Sequence, residues 1–115
     1  MPYISILTTQ TLTLAQKDEL RQTALSAAAL LGKPRAHVMV CIQDGVYLHK
    51  GDGDQSCAFC DVRVMGAASP EACAQFSLTL SEGVRRVAHT APGCVYLSLS
   101  ALTLCYTDGY LPPGH

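Results

Sequence analysis

Proline stands at the second position of the chain, directly behind the initiator methionine. Methionine aminopeptidases remove Met1 when a small residue follows it, so we expect the mature chain to begin with a free prolyl amine. An ordinary α-amino group titrates at about 7.7–8.0, and a dry pocket or a neighbouring cation lowers that pKa. Pro2 could therefore supply a general base near neutral pH. The structural alternative is that Pro2 merely starts an edge strand, where its missing N–H costs nothing.

A cation stands in the segment Gly32-Lys33-Pro34, just past the predicted end of the first helix. By itself, Lys33 is well explained as a solvated lysine that interacts favourably with the helix dipole. Beside a free prolyl amine it gains two further roles, because it would anchor an anionic substrate and disfavour protonation of the amine. Keto–enol tautomerisation needs this combination: a base near an acidified C–H, and positive charge where the enolate oxygen develops.

Two polar side chains, Tyr96 and Ser98, share one face of a segment in which apolar and polar residues alternate. Residues two apart on a strand point to the same side, so both can face one cleft. Tyr96 is equally well explained as an amphipathic residue of a subunit interface. The two roles coincide if the cleft lies at a subunit boundary.

Composition limits the classes of function. The 115 residues suit one domain, with a formal net charge of −1 and no run of Lys or Arg that would indicate nucleic acid as the partner. No apolar stretch approaches the ~20 residues of a membrane span, and no secretory signal is evident. We therefore expect a cytoplasmic protein, or one exported without a signal peptide. Apolar residues make up 49% of the chain and charged residues only 15%, which suggests surface buried against other subunits.

Two helices are predicted from capping signals and apolar stripes. Thr13 and Gln16 form a capping box at the start of the first helix, and Gly32 is its expected stop. The second helix starts with Ser69 as N-cap and Pro70 at the first helical position. The expected stripes are Leu20, Ala24, Ala27, Ala28 and Leu31 in the first helix, and Cys73, Phe76, Leu80, Val84 and Val87 in the second.

Strands are predicted where apolar and polar residues alternate, at residues 38–42, 61–65 and 95–100, in addition to the apolar start of the chain. The caps at 13 and 69 and the strands beginning near 38 and 94 are each 56 residues apart, and the leading strands near 2 and 57 are 55 apart. The chain therefore repeats one βαβ unit, with halves of about 1–50 and 51–115. Right-handed βαβ connections give an α/β (α+β) fold, a four-stranded mixed sheet with both helices on one face. The uncovered face predicts an oligomer.

These residues together resemble the macrophage migration inhibitory factor and D-dopachrome tautomerase branch of the tautomerase superfamily. The matching pieces are Met1-Pro2, Gly32-Lys33-Pro34, Cys57-Ala58-Phe59-Cys60, the Met65-Gly66 corner and Val95-Tyr96. The resemblance extends without an evident gap from residue 1 to about residue 100. It implies a ring-shaped homotrimer with three active sites at the subunit boundaries.

The resemblance also implies an activity and roles for individual residues. Pro2 would be the catalytic base that moves a proton between carbon and oxygen of an α-keto acid such as phenylpyruvate. Lys33 would bind the substrate carboxylate with help from the backbone near Met65, and Tyr96 would come from the neighbouring subunit. No cofactor is expected. The family also implies the alternative of a cytokine-like, secreted binding protein that engages a receptor or host protein and retains weak or vestigial catalysis.

The chain departs from the family pattern around this site. Ser98 stands where asparagine is usual, His37 where a pocket tyrosine is common, and Arg63 where histidine is common. The C-terminal segment lacks the usual tryptophan, and Tyr106 or Tyr110 would take its place. The base and the anion anchor are therefore retained while the surrounding wall is changed, and we expect an altered substrate preference.

The Cys57-x-x-Cys60 pair also occurs in the family, where a thiol–disulfide activity has been proposed. Three residues along a strand span roughly 10 Å, whereas a disulfide needs Cα atoms about 4.4–6.8 Å apart. We therefore expect Cys60 to be a core residue. One pair offers too few ligands for zinc, and position twelve counted from Asp52 is Arg63 where a calcium loop needs glutamate, so no metal site is expected.

Overall fold

A computed structural model describes residues 1–110 of the chain. Within this part, four strands, two α-helices and two short 3₁₀ helices follow one another in the order predicted from the sequence repeat. The strands are β1 (Pro2–Thr8), β2 (Met39–Gln43), β3 (Ala58–Met65) and β4 (Val95–Leu102). The α-helices are α1 (Leu14–Ala28) and α2 (Pro70–Val87), and the 3₁₀ helices span Ala29–Leu31 and Arg35–His37.

Both helices begin at the predicted caps. The Thr13 side chain accepts from the backbone N–H of Gln16, and the Gln16 side chain accepts from the N–H of Thr13, which completes the capping box. The Ser69 hydroxyl accepts from the N–H of Ala72 at the start of α2. The first helix tightens into a 3₁₀ turn and then stops at Gly32, whose φ of 72° is left-handed.

The sheet has the strand order β2-β1-β3-β4, with β1 antiparallel to β3 at its centre. The outer pairs, β1 with β2 and β3 with β4, are parallel, so each half of the chain forms the expected βαβ unit. The predicted α+β fold is confirmed. Its consequence for function is that the amino ends of β1 and β2 and the carboxyl ends of β3 and β4 lie at the same end of the sheet. This row of strand ends, which includes Pro2, is called the edge of the sheet from here on.

The two faces of the sheet differ in burial. On one face, alternate residues of the central strands pack against α1 and α2, and the helix stripes predicted from the sequence join them in a single core, except that Cys73 is only partly buried. The other face has no helix over it within residues 1–110. It carries three rows of side chains that run across the strands in the order β2, β1, β3, β4. The first row is Met39, Tyr3, Arg63 and Ser100, the second is Cys41, Ser5, Asp61 and Ser98, and the third is Gln43, Leu7, Phe59 and Tyr96.

A close approach between α1 and α2 explains why a glycine, which is a weak helix former, lies inside α2. Gly83 lies inside α2 and is buried. A Cβ atom at this position would lie 2.3 Å from the Cγ2 methyl of Thr23 in α1. The helix therefore accepts the lower propensity of glycine because any side chain here would push the two helices apart.

Neither helix of the described residues is long and apolar enough to cross a membrane. The segment between β2 and β3 is irregular and begins with the turn predicted at Asp44-Gly45, where Gly45 has a φ of 62°. The Asp44 carboxylate ties this turn to the start of α1, because it accepts from the N–H of Leu12 at 2.7 Å and lies 3.2 Å from the Lys17 ammonium.

Candidate active site

Among residues 1–110, the Lys33 side chain makes one hydrogen bond, at the end of the sheet where β1 begins. Its Nζ donates a hydrogen bond of 2.9 Å to the backbone oxygen of Met65, the last residue of β3. The chain can reach this place because it reverses at Gly32, and the N–H of Lys33 then bonds to the oxygen of Ala28 at the end of α1. A lysine ammonium has three N–H donors, so two remain for another partner.

Pro2 lies beside the same residue. It is the first residue of β1, is fully buried and is opposite Val64 in the antiparallel ladder. One step further along, the N–H of Met65 donates to the oxygen of Met1 at 3.1 Å. The backbone of Met65 therefore connects the two candidate groups, since its oxygen holds the Lys33 ammonium and its nitrogen holds the peptide group that ends at the Pro2 nitrogen.

Comparison with known proteins identifies the family of this chain. The family model described as macrophage migration inhibitory factor matches residues 1–102. The chain belongs to the macrophage migration inhibitory factor family. It is thereby a member of the tautomerase superfamily, as the resemblance in its sequence predicted. A search of curated protein sequences finds no significant match.

Solved structures of several proteins share the fold at low sequence identity. A protein named MIF2 from Leishmania major is 16% identical, with a TM-score of 0.88 over 96% of this chain and 97% of its own. The macrophage migration inhibitory factor of Toxoplasma gondii is 25% identical, with a TM-score of 0.76 over 87% and 89%. A protein named Pt0534, whose structure was solved after inactivation by 2-oxo-3-pentynoate, is 19% identical, with a TM-score of 0.81 over 95% of each chain.

His37, which the resemblance places in the pocket wall, precedes β2 at the same end of the sheet. It ends the short 3₁₀ helix Arg35–His37, two residues before Met39, which pairs with Tyr3. Because β1 and β2 are parallel, the start of β2, which His37 precedes, lies at the same end of the sheet as Pro2. Its side chain is exposed. The edge thus gathers Pro2, Lys33, Met65 and His37.

Tyr96 and Ser98 lie elsewhere in the same chain. Tyr96 pairs with Phe59, which pairs with Leu7, so Tyr96 is level with the far end of β1. Five residues separate Leu7 from Pro2, which corresponds to roughly 16 Å along a strand. Both side chains are exposed on the uncovered face, and Tyr96 keeps 54% of its surface accessible. Within one chain, the structure does not bring these two residues to Pro2.

The altered C-terminal segment of this family member follows β4 at the edge occupied by Pro2. The N–H of Gly66 bonds to the oxygen of Leu102, so β4 ends beside the Met65-Gly66 corner. Beyond it, Thr107 and Tyr110 form a small antiparallel bridge, and Tyr106 and Tyr110 are both exposed. Residues 111–115 lie outside the described part of the chain, so the last segment of the departure from the family pattern is not placed.

Among the six thiols of this family member, Cys60 is the most deeply enclosed. It is fully buried in the core under the helices, and burial raises the pKa of its thiol to about 12. A neutral, buried thiol is a poor nucleophile, because the thiolate is the reactive form. Cys57 precedes β3 and donates through Sγ to the oxygen of Leu48 at 3.3 Å. These placements agree with the expectation that Cys60 is a core residue.

Sequence reasoning missed two features of the site and its surroundings. The first is the direct contact between Lys33 and Met65. This contact depends on the strand register and has no signal of its own in the sequence. The second is Cys94, which stands beside Cys57 at the start of the parallel β4. The predicted strand starts near 57 and 94 already contained that information. Within residues 1–110, no group of three His, Cys, Asp or Glu side chains could hold a metal ion.

Proposed function

We propose that this protein is a tautomerase of small α-keto acids of the phenylpyruvate type, with Pro2 as the general base. The observation that carries the proposal is the position of Met65, whose backbone contacts both the Lys33 ammonium and the residue bonded to the Pro2 nitrogen. A base and a cation thereby meet at one residue of the sheet edge, as keto–enol chemistry requires.

Removal of Met1 would free a backbone hydrogen-bond donor next to Pro2. The N–H of Met65 now donates to the oxygen of Met1. When Met1 is cleaved, that donor loses its partner beside the newly formed prolyl amine. A substrate carboxylate can accept from the Met65 N–H and from the two remaining N–H donors of Lys33. The same cleavage therefore creates the base and vacates the anion-binding position.

The proposed reaction moves one proton. With the carboxylate bound at Lys33 and Met65, the neutral Pro2 nitrogen takes a proton from the carbon next to the keto group. The positive charge of Lys33 stabilises the negative charge that spreads onto the enolate. Pro2 then returns the proton to the oxygen, which gives the enol. Lys33 also disfavours the protonated amine and so keeps Pro2 ready as a base.

We propose that the site is completed by a neighbouring subunit in a homotrimer. Tyr96 and Ser98 are exposed on the sheet face without helices and lie far from Pro2 of their own chain. A closed ring of subunits would cover this face and bring the Tyr96 end of one chain to the Pro2 edge of the next. His37 would form part of the pocket wall contributed by the chain that carries Pro2.

The substrate class is supported by one structural relative. Pt0534 is inactivated by 2-oxo-3-pentynoate, which is itself an α-keto acid. In the proposed pocket wall, this chain has His37 and Ser98 where the resemblance implies tyrosine and asparagine. We therefore expect its preference among α-keto acids to differ from that of relatives that have tyrosine and asparagine at these positions. The carboxylate and keto group are the parts that Lys33, Met65 and Pro2 would recognise.

The decisive experiment measures phenylpyruvate enolisation by the processed protein and by Pro2→Gly, with intact mass recorded on the same samples. Glycine keeps a free amine and permits methionine removal, but it replaces the ring nitrogen with a primary amine. We expect loss of Met1 in both proteins and a drop in turnover of at least tenfold in the variant. Unchanged turnover would refute the role of Pro2, and a processed wild type without turnover would refute the tautomerase.

A second candidate is a cytokine-like binding protein that engages a receptor or host protein. Exposed tyrosines favour it, because aromatic side chains are enriched in interfaces and Tyr47, Tyr106 and Tyr110 retain 95%, 56% and 78% of their surface. This function predicts that Pro2→Gly binds its partner as the wild type does, whereas Tyr106→Ala or Tyr110→Ala binds less tightly. The two functions can coexist in one protein.

A further inference from the structure

Two cysteines face each other across the start of the parallel pair β3 and β4. Ala58 pairs with Val95, and the N–H of Ala58 donates to the oxygen of Cys94 at 3.0 Å, so the register places Cys57 beside Cys94. Neighbouring strands are about 4.7–4.9 Å apart. A disulfide joins Cα atoms about 4.4–6.8 Å apart, so this pair has the separation that Cys57 and Cys60 lack.

The two thiols also point to the same side of the sheet. Phe59 and Tyr96 are partners on the uncovered face, and stepping back two residues on each strand leads to Cys57 and Cys94. Both cysteines line one hollow under the segment that joins β2 to β3. Its lining is Leu48, His49, Lys50, Cys57, Ala58, Phe59, Cys94 and Tyr96.

In a single chain, the hollow opens to solvent at its rim and is enclosed at its floor. Cys57 and Cys94 are 4% and 5% exposed, while His49 and Lys50 at the rim are exposed. The Lys50 ammonium is held 2.8 Å from the oxygen of Gly93 and 5.3 Å from the centre of the Tyr96 ring. A cation therefore stands at the rim of the hollow that the two thiols line, where it attracts an anionic reagent.

We propose that Cys57 and Cys94 form a redox-active dithiol that exchanges with small anionic disulfides of the glutathione type. One thiolate attacks a sulfur of the external disulfide, forms a mixed disulfide and expels one thiolate product. The second cysteine then attacks the protein sulfur of that mixed disulfide, forms the Cys57–Cys94 bond and expels the other product. The two cysteines lose two electrons, the external disulfide gains them, and the two protons end on the released thiols.

Closure requires only local movement. Cys57 Sγ now donates to the oxygen of Leu48 at 3.3 Å, and Cys94 Sγ donates to the Gln55 side chain at 3.5 Å. Both thiols must leave these acceptors, and the residues that follow them, Ala58 and Val95, are already paired. The family motif pairs Cys57 with Cys60 instead, but the Cys60 thiol is in the core on the helix side and its pKa is about 12.

The test is oxidation of the folded protein with glutathione disulfide, followed by alkylation and tryptic mapping without reductant. Trypsin cuts after Lys50, Arg63 and Arg86, so Cys57 and Cys60 share peptide 51–63 while Cys94 is in peptide 87–115. We expect the protein to lose two hydrogens and peptides 51–63 and 87–115 to be joined. Chymotryptic cleavage after Tyr96 then separates Cys94 from Cys105, and the bond is expected on the Cys94 side.

Matched variants separate the alternatives. Cys60→Ala should still form the crosslink, whereas Cys94→Ser should accumulate a single glutathione adduct on Cys57. A bond within peptide 51–63, a bond to Cys105, or adducts without any crosslink in the wild type would each overturn the proposal. The wild-type map decides the question even if a variant fails to fold, and the readout does not depend on tautomerase activity.

Discussion

The charge of Lys33 is available to a ligand because, in the described part of the chain, its side chain is held by one neutral partner. Its hydrogen bond to the oxygen of Met65 orients the ammonium without neutralising it, and neither Met65 nor the bonded Met1 carries a side-chain charge. A salt bridge in this position would cancel the electrostatic attraction for a carboxylate. The geometry therefore suits Lys33 as an anion anchor better than as a structural tie.

Replacement of Lys33 by methionine tests this role. Lys33→Met keeps the length of the side chain and removes the charge, so we expect kcat/KM for phenylpyruvate to fall by about ten- to a hundredfold, or about 1.4–2.8 kcal/mol. Steady-state kinetics should show the larger part of the loss in KM. The matched control is Lys17→Met, which removes a charge near Asp44. Equal losses in both variants would argue against a specific anchor.

Asp44 gives a second prediction at the residue scale. The N–H of Leu12, and then the side chain of Lys17, hold the pKa of the Asp44 carboxyl below its usual range. A lowered folded-state pKa means that the contribution to stability is present above the unfolded pKa of about 3.9 and is lost as the pH falls through the folded value. Thermal melts of wild type and Asp44→Asn should therefore differ near neutral pH and converge in acid. Divergence in acid would contradict this assignment.

At the scale of elements, the two helices are set side by side by one glycine. Gly83 of α2 meets Thr23 of α1, and the Thr23 hydroxyl donates to the oxygen of Glu19 within α1. The helices must approach closely because they cover a sheet of only four strands. Beyond this contact, α1 ends in the 3₁₀ turn and the left-handed Gly32, where the chain turns to present Lys33.

Alanine at position 83 is expected to destabilise the protein, although alanine is the better helix former. The added Cβ would overlap the Thr23 methyl, which we expect to cost about 1–3 kcal/mol in the free energy of unfolding. Thr23→Ser removes that methyl and keeps the hydroxyl. The double variant should therefore recover most of the loss in a denaturant titration. Equal stability of Gly83→Ala and wild type would show that the helices separate freely.

At the scale of the whole molecule, one face of the sheet is covered and the other is not. The face without helices carries Tyr96 and Ser98, and the opposite end of the sheet carries Pro2 and Lys33. The two groups are separated in one chain and would be joined only by contact between chains. The proposed activity is therefore a property of the assembly, and dilution of the protein below the dissociation constant of the assembly should abolish it.

Subunit complementation tests the shared site directly. Pro2→Gly and Tyr96→Ala are each expected to be nearly inactive, because each removes one half of every site. When the two are dissociated, mixed equally and reassembled, about a quarter of the boundaries should combine an intact Pro2 with an intact Tyr96. Sedimentation should show a particle of three times the 12.2 kDa chain mass. No recovered activity in mixed trimers would place Tyr96 outside the site.

The sequence predicted the elements well because each has a local physical cause. The capping box at Thr13, the N-cap at Ser69 and the stop at Gly32 satisfy backbone groups within a few residues. The helix stripes and the strand alternation report which side chains face the core. The interval of 55 to 56 residues between corresponding signals then predicted the doubled βαβ arrangement, whereas the strand order β2-β1-β3-β4 came from the structure.

Other features depend on residues far apart in the chain. The sequence alone indicates that Gly83 weakens its helix, and only the structure shows that the Thr23 methyl packs against it. Cys57 belongs to a Cys-x-x-Cys motif whose spacing along a strand keeps it from Cys60, and only the register places Cys94 beside it. In both cases the local pattern is correct, but the neighbour that gives the residue its role comes from another element.

The sequence by itself determined the secondary structure, the repeat and the candidate base and cation, because periodicity, caps and residue chemistry are local properties. Only the tertiary structure decided that Lys33 bonds to Met65 beside Pro2 and that Tyr96 lies at the other end of its own sheet. The physical reason is strand register. It is set by packing of the whole sheet against α1 and α2, and it alone determines which distant residues share an edge.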